Sequence, residues 1–333
     1  MRHSRSYRVI SEFHLCIFAV SLFHVSLPGK TEKSAKPITS RLCGYKKDHA
    51  TDCLNKQFAL RGVFQTDPRK QLEDVTFQWF DDDISDNEYT EFANKYLTSR
   101  NFRLYKYQNP FVSLESLNRF YDQLKTNNLS LCAPSTFNDP FDGQFTVPDW
   151  VDPQALYWMR NATDEIWRIG CLTERNNSLL MWAHYGASYR GVCIEYDFSN
   201  FSAIESRCMF APVMYSNSCP EVPESVIAKS YKGQGIPTED QNQLSKGLFT
   251  KSPDWKYEYE WRIVKYCSKD KRISKYLPFE MPPIRKIYLG AEWRAPFDGA
   301  DWIYHDLCEI CEPRGIDIIE THLNAKSYTV DIL

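Results

Sequence analysis

Apolar positions recur along this chain with two different periods, and the regular runs begin near residue 103. In SLESLNRFYDQLKTNNL, Leu114, Leu117, Phe120, Tyr121 and Leu124 fall near one face of a 3.6-residue helix. Ser113 or Glu115 starts that helix and Asn127-Asn128 stops it. SLLMWAHYGASY reads as a second helix, capped by Ser178 and ending near Gly186 or Tyr189, and PFDGADWIYHDLCEICEPRGI as a third. Short apolar runs rich in β-branched and aromatic residues read as strands: RLYKY, LSLCAP, IWRIGCLTE, GVCIEYDF, APVMYS, WKYEYEWRIV, IRKIYLGA and GIDIIETHL. Strands and helices alternate without the regular rhythm of a doubly wound sheet. The expected class is therefore α+β, with a mixed, mostly antiparallel sheet and helices packed on it, over residues 101–333.

Upstream the pattern is weaker. Residues 31–100 read as a polar linker followed by an acidic helical segment, DDDISDNEYTEFANKYL, capped near Ser85 or Asn87. Residues 1–30 read as a hydrophobic leader, either signal-like, since Arg2, Arg5 and Arg8 precede the apolar run 13–27 in the layout of a signal peptide, or disordered. That run is shorter than the ~20 apolar residues a membrane span needs. The expected location is cytoplasmic, with secretion or membrane tethering through residues 13–27 as the alternative.

Alternation singles out WKYEYEWRIV. As a strand it sends Tyr257, Tyr259, Trp261 and Ile263 to one face, the core, and Glu258, Glu260 and Arg262 to the other. Between two other runs lies STFNDPFDG, a turn in which Asn138 and Asp139 favour Asx geometry, Pro140 fixes φ and Gly143 releases the chain, with Phe137 and Phe141 pinning it to the core.

Composition narrows the classes. Hydrophobic residues make up 43% and charged residues 25%, enough for a buried core. A net charge of −3 lacks the basic footprint of bulk nucleic-acid binding, but leaves room for a nucleotide in a local pocket. Twenty Tyr and nine Trp mean that many buried rings need polar partners at their rims. Eleven cysteines, an odd number set mostly inside apolar runs, read as reduced and buried. No Gly-rich phosphate loop, G-x-S-x-G elbow or H-E-x-x-H is present.

Four segments in this order, LYKY, STFNDPFDG, SLLMWAHYGASYRGVCIEYDF and WKYEYEWRIVKY with IRKIYLG, resemble the bacterial "domain of unknown function 2971" family over about residues 103–290. That resemblance implies a soluble protein, in some members encoded near phage-defence genes, and no set activity. The order of elements also resembles ADP-ribosyltransferase domains, in which a catalytic glutamate sits on a late strand. It is compatible with an ADP-ribosyltransferase-like core using NAD as substrate.

On that likeness Glu260 takes the catalytic place, with Glu258 beside it. A carboxylate there orients ribose and stabilises the oxocarbenium-like state of glycosidic cleavage. His184 is a candidate acid or base, since imidazole titrates near neutrality. Tyr185 offers a ring to a planar base. Trp182, Tyr185 and Tyr189 share a helical face. Lys106 or Tyr105 stands where the likeness has a first-strand arginine or histidine, and Lys106 would approach the pyrophosphate. Asn138, Asp139 and Arg262 complete the expected nucleotide site. The acceptor is a nucleotide or a macromolecule of unknown kind, and a membrane partner enters only if the leader is an anchor. Two other readings stand beside this one. One is a non-catalytic interaction or sensor domain in which the same residues are structural. The other is a metal-dependent nuclease built from Asp139, Asp142, Glu195, Asp197 and Glu260. The run His305, Cys308, Cys311 lacks a fourth zinc ligand and reads as an inward helical stripe, so no metal site is assigned.

Overall fold

Strand β3 (Trp167–Thr173) is the hub of a sheet of ten strands. One of its edges pairs along its whole length with β8 (Glu260–Tyr266), which in turn pairs with β5 (Met209–Pro212). Its other edge is shared by β1 (Arg103–Gln108), through Tyr105 opposite Thr173, and β2 (Asn128–Cys132), through Cys132 opposite Ile169. Beyond β1 come β4 (Val192–Asp197), β10 (Ile284–Leu289), β11 (Asp317–Asn324) and β12 (Thr329–Ile332); beyond β2 comes β9 (Tyr276–Glu280). Every pairing in this sheet is antiparallel except β10 with β11. Two short parallel strands, β6 (Met214–Tyr215) and β7 (Thr250–Lys251), pair separately. The computed structural model describes residues 67–231, 245–267, 274–294 and 300–332, so the leader lies outside it. No helix among the described residues is long and apolar enough to cross a membrane.

The longer helices are α1 (Pro68–Phe80), α2 (Asp86–Thr98), α3 (Leu114–Thr126) and α4 (Pro153–Ile166). After them come the short α5 (Leu179–His184), α6 (Ala203–Ser206) and α7 (Glu224–Tyr231), and then the longer α8 (Ala300–Cys311). Their ends follow local chemistry. Asp67 accepts from the Arg69 amide ahead of Pro68, and Ser85 and Glu88 close a capping box. Ser113 caps α3, and Asn127 ends it in a left-handed conformation at φ 58°. Helices α1, α2, α3 and α8 lay Leu72, Phe80, Tyr96, Phe120, Leu124 and Leu307 into the main core. The sheet meets them with Leu104, Ile194, Trp261, Ile263, Ile287 and Leu289. At ~25 cal/mol per Å² of apolar surface buried, this layer is the main source of stability.

Several expectations change here. The acidic segment before residue 101 does not stand apart, because α1 and α2 pack into the same core as the sheet. WKYEYEWRIV is not one strand. Residues Pro253–Glu258 form a 3-10 helix, Tyr259 turns left-handed at φ 46°, and β8 starts only at Glu260. The cause is local: Ser252 accepts from the Asp254 amide and Pro253 takes the first helical position. Tyr257 and Tyr259 therefore leave the face of Trp261. The helix of SLLMWAHYGASY stops at His184, and Ala187, Ser188 and Tyr189 are all left-handed. Trp182, Tyr185 and Tyr189 still gather in one small apolar cluster with Tyr107 and Tyr288, on the sheet face opposite the main core. Phe141 is 69% exposed and pins nothing, whereas Phe137 packs against the main core.

Candidate functional site

The ends of β7 and β8, the NDPFD turn and the end of α5 converge on a buried group of five charged side chains: Asp142, Lys251, Glu258, Glu260 and Arg262. Thr173 and Cys171 of β3 lie opposite Glu260 and Arg262, so strand pairing holds the last two on one face. The 3-10 turn then folds Glu258 back over β7, and Thr173 donates its hydroxyl to the Glu258 carbonyl. In the turn, Asp139 accepts from the Phe141 amide at 2.9 Å and Gly143 adopts φ 66°. This aims Asp142 at Arg262.

The contacts are dense. Arg262, fully buried, donates to both oxygens of Asp142 at 2.6 and 2.7 Å. It also donates to Glu260 at 2.8 and 3.3 Å and to the Leu248 carbonyl at 2.6 Å. Lys251 donates to Glu258 Oε2 at 2.7 Å and to Glu260 Oε2 at 3.1 Å. Asp142 lies 3.7 Å away from it. The second Glu258 oxygen accepts from the Tyr185 hydroxyl at 2.5 Å, and Asn138 donates to the same hydroxyl at 3.3 Å. Trp255 stacks under the Lys251 ammonium at 4.8 Å, and the His184 and Tyr257 rings lie 5.7 Å apart beside it.

Three carboxylates thus share two cations, and the balance splits them. Burial lifts the Glu258 carboxyl to about 7, and the Glu260 charge adds to the rise. Burial also acts against the charge on Glu260, but Arg262 and then Lys251 outweigh it and hold that carboxyl well below the usual range. On Lys251, burial opposes the charge and Glu260 and Asp142 restore it, so it stays an ammonium. Two neighbouring glutamates therefore have opposite characters: one charged throughout the neutral range, one poised to gain or lose a proton there.

The structure brings Glu258, Glu260, Arg262, Tyr185 and Asn138 into direct contact, with His184 one ring away. Asp139 stands on the far side of the turn, where it lines a cavity of about 310 Å³ with Phe137, Pro140, Asp142, Arg160 and Asp164. Tyr105 lies on the Glu260 face, where its ring centre is 6.3 Å from that of Tyr288. Lys106 acts on the site only from a distance, through its charge on Cys171. As the next residue of β1 it points to the opposite face, beside Ile194 of the main core. Glu260 faces neither a cleft nor water, since it is 3% exposed and ion-paired in the middle of the sheet. The two-metal set is not assembled. Glu195 and Asp197 sit on β4, three strands from Glu260, bound to Arg103, Arg285 and Tyr288. His305 is exposed and Cys311 is buried, and burial raises its thiol to about 12. The eight described cysteines are free.

Lys251 and Asp142 were not among the expected nucleotide-site residues. Lys251 meets its partners only because the Ser252–Pro253 turn reverses the chain, and Ser-Pro favours turn initiation. Among known proteins, residues 181–263 match the family model described as Protein of unknown function (DUF2971), a span from α5 to β8 that contains four of the five charged residues. No curated protein and no solved structure matches the chain.

Proposed function

We propose that this chain is a nucleotide-handling enzyme that cleaves the ribose–nicotinamide bond of NAD and passes the ADP-ribosyl group to a macromolecular acceptor, with Glu258 as the working carboxyl. The observation that carries the reading is the buried glutamate pair, in which Arg262 and Lys251 bond Glu260 and hold it charged while Glu258 shares only Lys251 and burial lifts its carboxyl to about 7. Above the pair lie the rings of Tyr185, His184, Tyr257 and Trp255. A surface of rings over three carboxylates and two cations suits a planar cation, and the nicotinamide ring of NAD is one.

In this reading nicotinamide stacks on the rings, and the Tyr185 hydroxyl swings off Glu258. The bond from ribose C1′ to the ring nitrogen breaks, its electron pair leaves with neutral nicotinamide, and the oxocarbenium-like carbon faces the Glu258 carboxylate. The acceptor attacks C1′, and its proton passes to Glu258. Lys251 holds Glu258 in place and is itself fixed by Glu260 and Asp142. One observation favours a second reading, a non-catalytic interaction domain: both Glu258 oxygens are occupied, as in a purely structural network.

The test is incubation with NAD labelled in its adenylate half, following nicotinamide release and label on macromolecules. Wild type is expected to release nicotinamide and Glu258→Gln to do so at least ~100-fold more slowly. Release by neither protein, or equally by both, supports the structural reading instead.

A further inference from the structure

Glu258 is 3% exposed, and both of its oxygens are covered. A proton taken up there needs a way out. Towards Lys251 the path closes: that ammonium is itself buried, and its other carboxylate neighbours, Glu260 and Asp142, face inward to Arg262. Towards Tyr185 the path opens. Its hydroxyl touches Glu258 and is flanked by the Asn138 amide, which carries no labile charge, and the Tyr257 hydroxyl acts on it from the other side, with the His184 ring packed against both tyrosines at 6.3 and 5.7 Å. Tyr257 is hydrogen-bonded to His184 Nδ1 at 2.8 Å, and His184 is exposed.

We propose that Tyr257 and His184 form a proton relay that joins the buried Glu258 carboxyl to solvent through the Tyr185 hydroxyl. Starting from protonated Glu258, its proton moves to the Tyr185 oxygen as the Tyr185 proton moves to Tyr257 and the Tyr257 proton to His184 Nδ1. Glu258 is left as carboxylate and His184 as imidazolium, which releases its Nε2 proton to water. Both tyrosines end neutral, so the phenols conduct without ionising, consistent with burial and the Glu258 charge holding Tyr185 far above its ordinary range. The relay rests on the site assigned to Glu258 above, but its test needs no turnover.

The experiment is carboxyl carbon NMR of the full chain labelled in glutamate, with the Glu258 signal assigned by its loss in Glu258→Gln. At the midpoint of its titration, the relay predicts proton exchange at least ~10-fold slower in Tyr257→Phe and in His184→Gln than in wild type, with the midpoint little moved. An unchanged rate in both variants overturns the relay, as does a moved midpoint with an unchanged rate, which marks a packing role only. Because His184 is exposed, its variant reports even where Tyr257→Phe perturbs packing. Slowed exchange in a protein that leaves NAD intact would keep the relay and remove the NAD reading.

Discussion

Replacing Arg262 by Met lowers folding stability by about 3–5 kcal/mol, read as a fall in the urea midpoint at constant slope. The side chain is 0% exposed and Met fills similar space, so the loss is electrostatic. Asp142 loses both of its hydrogen bonds to the guanidinium and Glu260 loses two, leaving Lys251 alone among three carboxylates. Glu260, no longer held charged by the guanidinium, then takes up a proton more readily, so the deficit shrinks as pH falls. Combining Arg262→Met with Asp142→Asn and Glu260→Gln recovers much of the loss, because a network removed as a unit leaves no orphaned charge. A drop under about 1 kcal/mol for Arg262→Met means that water reaches the cluster, and the buried-network description is then wrong.

Arg69→Met has an effect of the same order, about 3–5 kcal/mol, although Arg69 lies far upstream of the site. Its guanidinium is 1% exposed and bonds Glu73 at 3.1 Å and Glu174 at 2.5 Å, and both of those carboxylates are buried too. It also donates to the backbone carbonyls of Val213 and Glu260, each at 2.9 Å. Tyr96 of α2 and Trp261 of β8 bond the same Glu174 carboxylate. One arginine of α1 therefore ties two helices to the first residue of β8. Beyond the stability loss, faster amide hydrogen exchange is expected at Val213, whose N–H binds the Glu260 carbonyl. A change below about 1 kcal/mol would detach α1 from the fold and restrict the ordered unit to the residues after 100.

Much of this fold is readable from one sequence where period and cap agree. Helix α3 has both: an apolar face at 3.6-residue spacing, Ser113 before it and Asn127 after. WKYEYEWRIV failed because alternation of ring and charge is as natural to a tight turn followed by a strand as to one long strand. The deciding signal was Ser252-Pro253, outside the alternating stretch. The site was partly visible for the same reason: Glu258, Glu260 and Arg262 are close in sequence, and any reading places them together. Asp142 is 120 positions from Arg262, and nothing local announces their pairing. Lys106 shows the other limit. Alternation separates it from Tyr105 and Tyr107, but only the pairing of Tyr105 with Thr173, and of Thr173 with Glu260, decides which of them shares the glutamate face.

If Glu258 works as a carboxylate that titrates near neutrality, nicotinamide release from NAD followed from pH 5 to 9 carries its signature. The working form is deprotonated and the Glu258 carboxyl is lifted to about 7, so the wild-type rate rises with pH through an inflection near that value. Glu258→Gln removes the inflection together with at least ~100-fold of the rate. Release at no pH, or the same profile in both proteins, means that Glu258 is not the working carboxyl.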